Sequence, residues 1–496
     1  MKLKITLITV VFCLCYGCTE DVVLQVEKKT VMLTPTMTAI FDKGVLTIRT
    51  TKDSEAMPDF DDAAPWFNVA TYITSVIIEQ GVESIGTNAF GGCSNLTSVT
   101  IPHSVTMIGK GAFNGCSALS SVTIPDFVTT IGNYAFAYCS NLSKLIIPDK
   151  VSMIGEGAFM MCNNITSIQI SDLLTKIEAY TFHYCNNLQS LTIPTSVTSI
   201  GNYAFGGCYS LTSLTIPDAV TTIGDGAFSN CNNLSSITIP DLVTAIEPGT
   251  FTFCISLSSV KIPDSVTRIG NNAFYDCRSL TTVTIPDRVK EIGDNTFWGC
   301  NSLQSIVIPE SVTTIGEYAF NGCNLLKSLT IPNSVTTIGK YAFIGCGFST
   351  VIISKALTTI EDGVFFSCFN LTAVDIPQSV TTIGKDAFLY CPNLTSVSMG
   401  NSIVTIGSNA FSECNSLTSI NIPYSVTMIG ESALSGCRNL KDITVNWLTP
   451  LSIPSSVFQS VNTNSINLHV PAGRENLYKV DPVWRYFNIL PSCSCG

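Results

Sequence analysis

Sixteen cysteines recur along the chain at one spacing: 93, 116, 139, 162, 185, 208, 231, 254, 277, 300, 323, 346, 368, 391, 414 and 437. The step is 23 residues, except for one step of 22 between Cys346 and Cys368. Thiols at regular intervals can do three things. They can hold metal, but a metal site needs ligands grouped together, such as C-x-x-C with a second pair, and no unit supplies them. They can cross-link neighbouring repeats. If each repeat is one coil, equivalent Cβ atoms lie about 4.8 Å apart, against the roughly 3.8 Å a disulfide prefers. They can also act as small hydrophobes. That third role is the expectation for these sixteen.

The other candidate groups are sparse. The chain has three histidines, His103, His183 and His469. None has a Cys, Asp or Glu at ligand or triad spacing. G-x-S-x-G, a phosphate loop and H-E-x-x-H are all missing. The expectation is a non-enzyme with no catalytic residue, no metal and no cofactor. One acidic column does recur at the proline-following position of eight units: Asp126, Asp149, Asp172 (after Ser171), Asp218, Asp241, Asp264, Asp287 and Glu310. Turn chemistry explains it, since Asp can bond its own backbone. An acidic rim meeting a basic partner is the sharper alternative.

The elements that position these residues follow from one unit, LTSLTIPDAVTTIGDGAFSNCNN, residues 211–233. Leu214 and Ile216 alternate with Ser213 and Thr215, which reads as a short half-buried strand. Pro217-Asp218 ends it. Val220 and Ile223 return to the core, Gly224 permits a bend, and Ala227, Phe228 and Cys231 turn inward. One such coil cannot stand alone. Each buried Leu, Ile or Phe contributes about 1.5–3 kcal/mol, while ordering each backbone residue costs about 1–2 kcal/mol. The coils must therefore stack, and sixteen would build a parallel sheet roughly 75 Å long.

Three units replace the turn glycine with Glu178, Glu247 and Glu361. The same units carry Thr181, Thr250 and Val364 in place of the Ala before Phe, and one further unit has Thr296 with its glycine kept. This pairing suggests that Gly and Ala touch across the bend. A local kink is expected where one residue is deleted, between Cys346 and Cys368.

With 496 residues, only 12% of them charged, and a net charge of −11, the chain lacks the clustered Lys/Arg that nucleic acid and anionic membranes require. The N-terminus has Lys2 and Lys4, an apolar run from Ile5 to Leu14, and the small residue Gly17, as in a secretion signal. That run is too short to span a bilayer. Cys15-Tyr16-Gly17-Cys18 resembles a bacterial lipobox, although Leu14 sits one place too far upstream. The resemblance implies lipidation of Cys18, with cleavage and release as the alternative. Thr19-Glu20-Asp21 resembles the acidic signal that sends lipoproteins to the outer face of the outer membrane.

The unit L-x-x-[VIL]-x-I-P-x-x-V-x-x-I-G-x-x-A-F-x-x-C resembles the leucine-rich repeat of the BspA-like family of bacterial cell-surface proteins. The closing LHVPAGRENLYKVDPVWRYFNI, residues 468–489, resembles the end of such proteins. The resemblance implies a repeat solenoid: a right-handed, curved leucine-rich-repeat superhelix with a parallel β-sheet on its concave face, mostly β and turns. It also implies surface display and adhesion. The resulting division is a signal peptide at 1–17 and a linker at 18–30. An N-terminal cap at 31–72 and sixteen repeats at 73–440 follow. A degenerate repeat and C-terminal cap fill 441–496.

Function then rests on the outward strand positions. Most are Ser or Thr, which suit water and carry little specificity. Lys144, Ile146, Gln169, Lys261, Val307, Ile352 and Asp375 break the pattern and are the candidate contact residues. The reading is a cell-surface adhesin on an outer-membrane lipid anchor, or secreted, whose partners are host or microbial surface proteins. Glycan capture for nutrient uptake is an alternative, but the outward columns hold no aromatic platform; Tyr424 is a late aromatic on the proline-following column. A passive spacer is the third possibility.

Overall fold

The computed structural model describes residues 28–61 and 63–492. The signal segment, Cys18, and the tail cysteines Cys493 and Cys495 lie outside the described residues. The rest is a repeat solenoid of short parallel strands and turns, as expected. It opens with an antiparallel hairpin, Met37–Asp42 against Val45–Thr50. From there paired strands run parallel and one repeat apart, as Ser236 with Ser259 and Thr238 with Lys261, in several successive sheets rather than one. Helix is scarce; among the described residues the one α-helix is Glu475–Val480.

A typical coil shows why the repeat folds as it does. Ser259–Lys261 buries Val260 and exposes its neighbours. Pro263 has no donor to continue a ladder, and its carbonyl accepts from Val266 N at 3.1 Å, closing a turn. Arg268–Ile269 forms a second, two-residue strand. Gly270, Phe274 and Cys277 complete the coil.

The phenylalanines form the spine. From Phe90 to Phe411, successive rings stack nearly parallel with centroids 5.2–6.0 Å apart. Strands sit only about 4.8 Å apart. The wider spacing of the rings accords with the expected placement of the first strand column on the concave face. Trp66 ends the stack at one end, 5.9 Å from Phe90, with its indole N–H bonded to Ala89 O. At the other end Trp484, Phe458 and Phe487 close the core.

Two expectations need correction. Leu214 and Ile216 are buried and Ser213 and Thr215 exposed, but residues 211–217 form no strand. Thr212 N lies 3.5 Å from Gln189 O, at the limit of a hydrogen bond. Hydrophobic alternation sets which side chains go inward, whereas the ladder needs tighter register than three residues impose. The second concerns glycine. A Cβ on Gly109 would sit 2.7 Å from Ile85 O and 2.9 Å from Thr87 N. The glycine therefore makes room for the preceding coil, not for its own Ala.

Eleven turn glycines, Gly109 among them, donate their N–H to the isoleucine carbonyl of the preceding coil at 2.7–2.9 Å. Glu178, Glu247 and Glu361 do not, and neither does Gly293, whose unit carries Thr296. The second strand column breaks immediately before each of the three Glu units: between Met153–Ile154 and Lys176–Ile177, Thr222–Ile223 and Ala245–Ile246, and Thr337–Ile338 and Thr359–Ile360. The deletion, where a kink is expected, coincides with one of three breaks in this ladder. That break is local: Phe343 and Phe365 still stack at 5.8 Å, and Thr330 still pairs with Ile352.

Candidate functional site

All seven candidate contact residues project outward from the concave strand column. Lys144, Gln169, Lys261 and Asp375 are exposed. Ile146, Val307 and Ile352 are 67%, 76% and 63% exposed, although each is flanked by buried aliphatics. Apolar side chains held in water at these levels on a rigid sheet are available to a partner at little conformational cost.

The sheet register decides which of the seven meet. Ile146 lies beside Gln169, two residues on from Lys144, which pairs with Ser167. Lys261 stands alone beside Thr238, and Val307 beside Thr284. Ile352 and Asp375 converge, since both line a groove of about 550 Å³. Ten coils separate Lys144 from Asp375, roughly 48 Å along the sheet. The seven are therefore two clusters and two isolated positions, not one site.

The groove has a local cause. Pro377 is flanked by coils that have lost the equivalent proline, to Ser354 and Gly400. Ser354 Oγ donates to Val335 O at 2.7 Å and accepts from Ala356 N. A Cβ at Gly400 would lie 2.6 Å from Gln378 Cα. Gln378 bridges to the next coil, donating to Ser402 Oγ at 2.8 Å and accepting from Asn401 N at 3.0 Å. Lys355 and Asp375 supply opposite charges to the lining, and Ile352 and Met399 its apolar part. The Ser379 hydroxyl, also in the lining, has no hydrogen-bond partner.

Residues 65–189, 175–304, 290–414 and 358–476 match the family described as the BspA type leucine rich repeat region, in 6 copies. The chain belongs to this family. It is similar to a leucine-rich repeat protein from Bacteroides ovatus, with 26% identity over 84% of this chain and 94% of that one, and a TM-score of 0.43. It is also similar to a leucine rich cell surface protein from Faecalibacterium prausnitzii, with 25% identity over 81% and 94% of the two chains and a TM-score of 0.37. No curated protein matches it.

In this BspA-type solenoid the sixteen repeat cysteines are free and buried, as expected of small hydrophobes. They also do something the spacing did not disclose. From Cys116 to Cys437, each thiol donates to the phenylalanine carbonyl of the preceding coil, at 3.1–3.4 Å. Burial pushes the thiols of Cys139, Cys185 and Cys254 up to about 12, so they stay protonated donors.

The acidic column is solvated. Its eight carboxylates are exposed, and none makes a side-chain hydrogen bond among the described residues. The turns close instead through the backbone, as Val220 N bonds Pro217 O at 3.0 Å. Among the described residues no group of three or more His, Cys, Asp or Glu could hold a metal ion.

Two histidines differ from expectation. His469 lies 3.2 Å from Asp442, which also accepts from Asn467 at 3.0 Å. The pair is 27 residues apart and only the parallel register joins it, so spacing could not reveal it. His183 is half-buried among Tyr180, Tyr184 and Tyr203, and burial lowers its pKa from the usual value.

The sequence also did not reveal a set of aromatics on the turns. Tyr134, Tyr138, Tyr180, Tyr184, Tyr203, Phe253, Tyr318, Tyr341 and Tyr390 all have φ between 52° and 59°. That left-handed conformation costs a side chain about 1–2 kcal/mol. Several of their ring faces are used by the solenoid itself. Tyr180 stacks on Tyr203 at 5.5 Å, and Tyr318 on Tyr341 at 5.2 Å. A Cβ at Gly157 or Gly226 would lie only 2.4 Å or 2.3 Å from the rings of Tyr134 or Tyr203. Tyr180, Tyr203, Tyr318 and Tyr341 thus mortar the coils together, whereas Tyr138 and Tyr390 remain 46% and 50% exposed.

Proposed function

We propose that this chain is a cell-surface binding protein that contacts other proteins through its concave face, as an adhesin. The exposed aliphatics Ile146, Val307 and Ile352 carry this reading, because they interrupt a wet Ser/Thr sheet, Ile146 close to Lys144 and Ile352 close to Asp375. Protein interfaces concentrate their energy in a few such anchors while the surrounding residues exclude water. The groove shared by Ile352 and Asp375 is the strongest anchor site. Display on the outer surface, through a lipid at Cys18 or by release, accords with the family and with the N-terminal sequence. No catalytic step is assigned. Purified protein would be tested for saturable binding to extracellular-matrix proteins. Ile352→Ser or Asp375→Ala should then weaken binding at least about tenfold, the scale of an interface hot spot. Unchanged affinity in both variants, and in Lys144→Ala, would sink the concave-face reading.

A further inference from the structure

The proline-following column ends at Tyr424, where the next coil departs from the repeat. Residues 446–452 have no regular structure. With the Tyr424 turn they enclose a groove of about 420 Å³, within the roughly 300–1,000 Å³ typical of small-molecule sites. Three properties set it apart from the rest of the surface.

First, its aromatic is free. Tyr424 is 65% exposed, the most exposed aromatic among the described residues, and no other ring packs on it. Leu448, 62% exposed, adds apolar surface beside it. Second, its polar groups are neutral and unspent. Asn446, Thr449 and Ser452 line the groove without a side-chain hydrogen bond among the described residues, and no charged residue lines it. Third, the irregular wall is held in place. Tyr478 Oη donates to Trp447 O at 2.7 Å, Trp484 Nε1 to Leu451 O at 2.9 Å, and Trp447 Nε1 to Val426 O at 2.9 Å. A wall fixed beforehand loses little entropy when a ligand binds.

An open ring face, a small apolar area and a fringe of neutral donors and acceptors complement one class of ligand well. A pyranose has an apolar C–H face and a rim of uncharged hydroxyls. An ion would find no counter-charge, and a purely apolar side chain would leave one amide and two hydroxyls unpaired. We propose that this groove binds a neutral sugar ring. Tyr424 stacks on its C–H face, and Asn446, Thr449 and Ser452 bond its hydroxyls. The site shares no residue with the concave contacts, so either reading stands or falls without the other.

The test is calorimetry of the full chain with cellotetraose, mannotetraose and chitotetraose, and with sialyllactose as a charged comparison. Saturable binding of at least one neutral sugar is expected, about tenfold weaker in Tyr424→Ala, where an aromatic stack is lost. Tyr424→Phe keeps the ring and should retain most of the affinity, and Asp375→Ala should leave it unchanged. The proposal is overturned if no neutral sugar saturates, if sialyllactose is preferred, or if Tyr424→Ala binds as well as the parent.

Discussion

The coil at Gly224 and the next one, at Glu247, share 12 of 23 positions and join their predecessors differently. Gly224 lies against the preceding coil, where a Cβ would be 2.7 Å from Asn202 N, and it donates to Ile200 O at 2.9 Å. Glu247 has that Cβ. It makes no bond to Ile223, and the second strand column stops there. On its other side the coil is normal, for Gly270 donates to Ile246 O at 2.8 Å. The break is one-sided because both the N–H and the Cβ of this residue point back along the array. The paired change at Ala has the same address. Thr296 Oγ1 bonds its own Gly293 O at 2.8 Å and reaches Gly270 O of the preceding coil at 3.4 Å. The two positions are coupled through that neighbour, and in two of the three Glu units the added hydroxyl secures the turn, Thr181 Oγ1 to Glu178 O at 2.8 Å and Thr250 Oγ1 to Glu247 O at 2.7 Å, while Val364 in the third brings no hydroxyl. A solenoid can thus lose one ladder locally while its spine continues.

The largest effect should come from the feature both coil types share. Phe228 and Phe251 are equally buried in one continuous stack. Replacing either with Ala should cost about 3–5 kcal/mol, read as a shift in the denaturation midpoint. A much smaller loss at Phe251 would mean that the Glu coil is loose throughout rather than only at its second strand.

A smaller effect tests the break itself. Gly316→Ala would press a Cβ to 2.5 Å from Asp294 Oδ1 and 2.6 Å from Asp294 N. It should destabilise by about 1–3 kcal/mol. Conversely, Glu247→Gly combined with Thr250→Ala should restore the bond to Ile223, adding about 0.5–1.5 kcal/mol. Slowed hydrogen exchange of the residue 247 amide is the readout, and unchanged exchange would refute the steric account.

The smallest effect separates acids that break a coil from one that ties coils together. In the N-terminal cap Glu55 accepts hydroxyls from Thr50, Thr34 at 2.7 Å and Thr36 at 2.8 Å. These bonds, Thr50 first, lower its pKa from 4.5 to about 2. A lowered folded-state pKa means stabilisation that is full above about pH 4.5 and lost as pH falls toward 2. Acidification should loosen the cap over that window, and Glu55→Gln should abolish the pH dependence. The steric breaks at the three Glu turns should not respond.

Much of this molecule was legible in one unit of sequence. The inward columns of Leu, Val, Ile, Phe and Cys and the parallel stacking follow from hydrophobic period and stability arithmetic, because each coil must bury the same face against its neighbours. The outward direction of Lys144, Ile146, Gln169, Lys261, Val307, Ile352 and Asp375 follows from strand alternation. Tertiary structure decided what lies between coils. It joined His469 to Asp442, hung each thiol on a phenylalanine carbonyl, and set the turn glycine against its predecessor. It also opened grooves where Ser354 and Gly400 replace proline and where residues 446–452 leave the repeat. A repeat determines its own inside and outside through periodicity. Contacts between neighbouring coils depend on distances of a few ångströms across the stack, and these exist only once the chain has folded.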